Sequence, residues 1–193
     1  MYSLFMNILH IDSCALGDNS TSRQATAAAI AALLAVTPAA TVHHRDLAAS
    51  PLSHASGPLL QVISKRWDEE IPMNAELRAE ALQSASLLQE FDEADVAVIG
   101  APLHNFSVPS TLKAWMDRLL ELRTASASAR PSDPRVVLIT SGCDILGDRP
   151  LDELHLNHEK QLTAAFRFMG VHRVDVVRNL GDLPNVLGSD GTA

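Results

Sequence analysis

Apolar positions along the chain follow two alternating rhythms. Short apolar runs stand at 7–11 (NILHI), 95–101 (DVAVIGA) and 135–141 (RVVLITS). The last two are near-continuous and rich in β-branched residues, as in strands buried on both faces. The run at 41–47 (TVHHRDL) is more polar and reads as an edge strand. A fifth strand is expected at 171–177 (VHRVDVV).

Between these runs the apolar spacing becomes helical. Residues 22–36 (SRQATAAAIAALLAV) are strong helix formers that stop before Pro38. Residues 74–94 carry Leu77, Ala81, Leu82, Ala85, Leu88 and Phe91 at helical spacing. In 110–123, Leu112, Trp115, Met116, Leu119 and Leu120 repeat at i, i+3, i+4, i+7 and i+8. A fourth helix is expected at 151–170, closed by Gly170 at C′, and a short one at 59–66. The stretches 49–58 and 124–134 read as loops. The end, NLGDLPNVLGSDGTA, shows no helical period and reads as a loose tail. Strand and helix alternate throughout, which predicts one α/β domain spanning 1–193, with a parallel sheet and a core at about 6–178.

Composition adds exclusions more than identity. With 193 residues the chain can bury a sizeable core. A formal net charge of −8 argues against a general nucleic-acid binder. No apolar window reaches the ~18 residues of a membrane span. Cys14 and Cys143 have no metal-like spacing, and no basic leader opens the chain. A reducing, cytoplasmic setting is therefore expected.

In parallel sheets, ligands gather where strands end and helices begin. The first such junction, Asp12–Ser22, carries four hydroxyls: Ser13, Ser20, Thr21 and Ser22. A helix N-terminus lined with hydroxyls suits a phosphate. An ordinary serine cap is the competing reading. No P-loop and no G-x-G-x-x-G turn is present. The second junction holds Pro102, Leu103, His104, Asn105, Phe106 and Pro109. Apolar and aromatic residues beside an Asn suit a flat heteroaromatic ligand, and a loop whose Phe fills the core is the alternative. His104 is a candidate general acid. The third junction, Ser141-Gly142-Cys143, offers close backbone approach at Gly142, or is a plain turn. His155, His158 and Glu159 share a helix face, which reads as solvated surface rather than a metal site.

Taken together, these stretches resemble the flavodoxin-like FMN-dependent NADH-azoreductases and NAD(P)H:quinone reductases, once called acyl-carrier-protein phosphodiesterases. HIDSCALGDNSTSRQ is similar to the family's phosphate loop, with a Ser after the first strand and Ser-x-Ser opening the helix. RDLAASPLSH resembles its R-D-L-A-x-x-P segment. The most specific likeness is DVAVIGAPLHNFSVPSTLKAWMDRLL, and TSGC stands where the family has T-S-R-G-G. The resemblance implies a three-layer sandwich with a five-stranded parallel sheet in order 2-1-3-4-5. It implies FMN as cofactor, NADH or NADPH as co-substrate, and a small aromatic quinone or azo acceptor. It implies a homodimer with the active site at the interface.

By position, Ser13, Ser20, Thr21 and Ser22 would hold the FMN phosphate. Pro102, Leu103, His104, Asn105 and Phe106 would line the isoalloxazine, with Ser141, Gly142 and Cys143 on its far side. His104 replaces the family's usual Tyr, and Leu103 its Met. The 124–134 segment is shorter than in the family, which implies a more open site. The family's C-terminal helix has no counterpart in the sequence pattern. These departures leave a second expectation: a flavodoxin-like protein with weak or no redox turnover in a pathway-specific role.

Overall fold

The computed structural model describes residues 6–66, 72–125, 133–140 and 152–188. Five strands, β1 (Asn7–Asp12), β2 (Thr41–Asp46), β3 (Val96–Gly100), β4 (Arg135–Ile139) and β5 (Val174–Val177), form one sheet in the order β2-β1-β3-β4-β5. Every neighbouring pair is parallel. The central strands β3 and β4 are buried at every position, whereas the edge strand β2 is exposed or half-buried throughout. Parallel strands need crossover connections, and the helices supply them.

The helices are α1 (Thr21–Val36), α2 (Gly57–Ile63), α3 (Ala75–Glu93), α4 (Ser110–Ala125), α5 (Asp152–Phe168) and α6 (Leu183–Gly188). Side chains alternate across the strands, so β1, β3 and β4 each feed two cores. On one face Leu9, Ile11, Ala97, Ile99, Val136 and Leu138 meet α3, α4 and α5 through Phe91, Trp115 and Phe166. Phe91 meets the Trp115 ring edge-on at 5.8 Å. On the other face Ile8, Val96, Val98, Val137 and Ile139 meet Ala25, Ala29, Ile30 and Leu33 of α1. The small alanines let α1 lie close to the sheet. Each large apolar side chain fully buried in these layers is worth about 1.5–3 kcal/mol. The expected three-layer sandwich and strand order are thus present.

Local signals explain most boundaries. Ser56 and Asn74 cap α2 and α3 by accepting hydrogen bonds from Leu59 and Leu77 N–H. Gly170 has φ of 77°, and its N–H donates to the Arg167 carbonyl while Val171 N–H donates to that of Phe166. That is a Schellman closure at the expected glycine. It also explains why β5 starts at Val174 rather than 171, because Val171 is used in leaving the helix.

Two expectations are corrected. The C-terminal tail is not loose throughout. Leu183, Val186 and Leu187 stand at i, i+3 and i+4 on α6 and pack against the α1-side core. Six residues, with Pro184 among them and Gly181 and Asp182 just before, are too few to show a period in the sequence. The α5 face bearing His158 and Glu159 is not solvated either, since both side chains are buried. Among the described residues no helix is long and apolar enough to cross a membrane.

Candidate functional site

The carboxyl ends of β1 and β3 lie side by side and are tied together by their own loops. Ser13, directly after β1, donates its hydroxyl to the Gly100 carbonyl at 2.6 Å. Thr111, in the first turn of α4, donates to the Ser13 carbonyl at 2.9 Å. The Ala101 N–H continues the sheet by donating to the Ile139 carbonyl of β4. The first two junctions singled out in the sequence are therefore one continuous rim. Ser141, Gly142 and Cys143, the third junction, lie outside the described residues.

The loop after β1 turns back through Gly17, whose φ of 57° is a left-handed conformation that favours glycine. A single 3-10 turn, Gly17–Asn19, then delivers Ser20 to the N-cap of α1. Ser20 accepts from Arg23 N–H at 3.3 Å, and its hydroxyl lies 2.9 Å from that of Ser22. Ser13, Ser20 and Ser22 are buried, and Thr21 is exposed at the helix mouth. The N–H groups of Thr21 and Ser22 occupy the first helical positions, which have no intrahelical acceptor. The aligned peptides of a 16-residue helix add a partial positive charge there. This donor set of hydroxyls and backbone N–H groups fits a phosphate dianion.

Sequence reasoning missed the side chain that holds this loop in place. Arg23 forks onto Asp46 with both nitrogens at 2.7 Å, and its Nε donates to the Cys14 carbonyl at 2.8 Å. Asp46 also accepts from the N–H groups of Ala48 and Ala49. The Arg23 hydrogen bonds are the chief cause that lowers the Asp46 carboxyl to about 2. The available signal was a pair of opposite charges in the two family-like segments, Ser-Thr-Ser-Arg and Arg-Asp-Leu.

After β3, Pro102 and Leu103 are buried. Leu103 is only 1% exposed as a whole residue and belongs to the buried core. His104 and Ser107 exchange two backbone hydrogen bonds, at 2.6 and 3.0 Å, around Asn105 and Phe106. Those two residues have φ of 47° and 69°. This is the geometry of a type I′ turn, whose preferred residues are Asn followed by Gly. Here a phenylalanine takes the glycine position and is 66% exposed. Phe106 therefore does not fill the core, and the strained turn holds an aromatic ring and the Asn105 amide at the rim.

The rim is braced from α5. His158 bonds through Nε2 to the Ala101 carbonyl at 2.9 Å, and burial holds its imidazole below the ordinary value, hence neutral. The carbonyl can only accept, so Nε2 carries the proton. Next to it, Glu159 receives the fork of Arg178 at 2.5 Å and the Thr140 hydroxyl at 3.1 Å. Burial raises its carboxyl, but Arg178 and Thr140 outweigh burial and hold it below the usual range.

Comparison with known proteins agrees with this geometry. Residues 6–186 match the family described as having a flavodoxin-like fold. An FMN-dependent NADH:quinone oxidoreductase of Methylocella silvestris is 41% identical over 185 residues, covering 91% of this chain and 88% of the relative. One from Cupriavidus necator is also 41% identical, over 91% of this chain and 85% of the relative. Among solved structures, an azoreductase of Bacillus anthracis superposes with a TM-score of 0.71 at 17% identity, covering 95% of this chain and 94% of the other. An FMN-dependent NADH-azoreductase of the same species, in complex with FMN, gives 0.69 at 20% identity, over 90% and 86%. At these identities the structures speak for the fold. The chain therefore belongs to the flavodoxin-like family, with the FMN-dependent NADH:quinone oxidoreductases as its relatives.

Proposed function

We propose that this protein is an FMN-dependent NAD(P)H oxidoreductase that reduces quinone or azo acceptors. The observation that carries the reading is the rim itself. A hydroxyl-lined helix N-terminus sits one strand away from a turn that displays an amide and an aromatic ring. The 41% identity to relatives of that activity supports it.

Ser20, Ser22 and the Thr21 N–H bind the phosphate, with Ser13 and Thr111 fixing the approach of the loop to β3. Asn105 and Phe106 meet the isoalloxazine with side chains and His104 lines its edge, while the buried Pro102 and Leu103 support the loop from beneath. The family resemblance assigns Ser141, Gly142 and Cys143, outside the described residues, to the far side of the ring. FMN held there would supply the hydride-transfer chemistry between NAD(P)H and the acceptor. The protein's part is to orient the ring, limit water around it and hold the loops still. His104, half-buried at the first corner of the turn, is the residue we assign to proton delivery to the reduced acceptor.

The active assembly is a homodimer acting in the cytoplasm. The exposed aromatic ring of Phe106 at the rim supports a partner contact there. The acceptor is a small aromatic molecule, and neither nucleic acid nor membrane takes part. The test is NADH oxidation by protein reconstituted with FMN, with benzoquinone or an azo dye as acceptor. Acceptor-dependent turnover that requires added FMN is expected. Turnover absent with both acceptors from flavin-loaded protein would overturn the reading.

A further inference from the structure

A second cluster of chemistry lies beneath α1, on the β1–β2 side of the sheet and below the loop that Asp12 opens. His10 and Asp12 are two residues apart on β1, so the pleat turns both to the same face. His44 on β2 is the register partner of His10 and shares that face. Their ligand atoms converge within 4.8 Å of one another. His44 Nε2 is 3.0 Å from Asp12 Oδ2, and His10 Nε2 is 3.4 Å from the same oxygen. The two imidazoles stack with centroids 4.3 Å apart, which sends both nitrogens the same way.

Two further features mark the cluster as a ligand set. First, the His10 residue is buried, and beyond the long 3.4 Å contact with Asp12 Oδ2 its Nε2 makes no hydrogen bond of good geometry. A buried imidazole nitrogen left in that state is costly, and an electron-pair acceptor placed between the three groups would satisfy it. Second, the carboxylate is already oriented. The Thr26 hydroxyl on α1 donates to Asp12 Oδ1 at 2.8 Å, which leaves Oδ2 to face the histidines. A hydrogen bond to the non-ligating oxygen is the usual outer support of a metal-binding carboxylate.

We propose that His10, Asp12 and His44 bind a divalent transition-metal ion of the zinc, cobalt or nickel class. Two imidazoles and one carboxylate suit such ions rather than magnesium or calcium, which prefer oxygen alone. Both imidazoles coordinate in their neutral form. Arg23 comes within 3.7 Å of Asp12 Oδ2, but its charge is matched by the fork onto Asp46. The two carboxylates and one guanidinium leave a local charge of −1 for the cation. The His44 side chain is about half exposed, so the remaining coordination positions open to water.

The test uses flavin-loaded full-length protein dialysed against zinc chloride, with metal per protomer counted by mass spectrometry. Wild type is expected to hold one zinc ion at this site. His44→Ala should weaken that binding at least ~100-fold, and Thr26→Val, which keeps all three ligands, about 10–100-fold. His172→Ala removes an exposed histidine that pairs with Asp133 elsewhere, and it should keep the ion. Flavin content of each variant verifies that the fold is intact. Zinc retained by His44→Ala as in wild type, lost equally in His172→Ala, or absent from wild type would overturn the proposal.

Discussion

Replacing Asp46 with Asn tests how firmly the loop after β1 is fixed from outside. The substitution keeps an oxygen for the Ala48 and Ala49 N–H groups but removes the charge that holds the Arg23 fork. The native carboxyl is lowered from 3.8 to about 2, chiefly by those hydrogen bonds. A native value below the unfolded one means the ionised form stabilises the fold. That stabilisation is present above the unfolded value and is lost as pH falls through the native value. A difference of 1.8, from 3.8 − 2, corresponds to about 2.4 kcal/mol. The side chain is 24% exposed, so solvent screening reduces this to roughly 1–2 kcal/mol at neutral pH. By the same linkage, about half of the term has gone at pH 3. Urea unfolding of wild type and Asp46→Asn between pH 7 and pH 3 reads both quantities. The variant should be less stable at pH 7, with the gap closing as pH falls. Equal stability at pH 7, or a gap independent of pH, would refute the clamp. Flavin affinity should weaken in parallel, because Arg23 also holds the Cys14 carbonyl.

Other outcomes follow from the same geometry. Ser20→Ala combined with Ser22→Ala should weaken FMN binding, with roughly 1.5–3 kcal/mol lost per charge-assisted hydrogen bond. Flavin fluorescence titration measures this, and unchanged affinity would remove the phosphate from this loop. Phe106→Gly relieves a left-handed phenylalanine at some cost in chain entropy, and should raise stability by roughly 0.5–1 kcal/mol. A lower midpoint in urea would contradict the strained turn. Arg118→Met strands Glu80 and the Ser53 and Ser84 hydroxyls that the fully buried guanidinium now joins between α3 and α4. The charge it leaves behind is partly exposed, so a loss of about 2–4 kcal/mol is expected by thermal and urea unfolding.

Much of the frame is legible in the chain because burial writes itself into composition. The runs at 95–101 and 135–141 have apolar residues on both faces, and β3 and β4 are buried at every position. The alanines of α1 and the Leu/Trp/Met stripe of α4 mark the faces they bury. Short-range chemistry is equally readable, as at Gly170 and at the caps. What escapes is whatever depends on a distant partner. Arg23 and Asp46 are 23 residues apart and meet only because β2 lies beside β1. His158 and Glu159 look like surface on a helix wheel, yet the Ala101 carbonyl and Arg178 draw them inward. The helix α6 is six residues long, and Leu183, Val186 and Leu187 acquire meaning only against the α1-side core. At the rim, Ser13 spends its hydroxyl on Gly100, a role that no local pattern announces.

Of all these measurements, an anaerobic titration bears most directly on the central claim. Protein freed of flavin is titrated with FMN, isolated, and then mixed with NADH. One FMN per protomer is predicted, giving a yellow protein with a band near ~450 nm that bleaches on adding NADH and returns when a quinone is supplied. Protein that stays colourless after reconstitution, or whose bound flavin NADH leaves oxidised, would contradict the account.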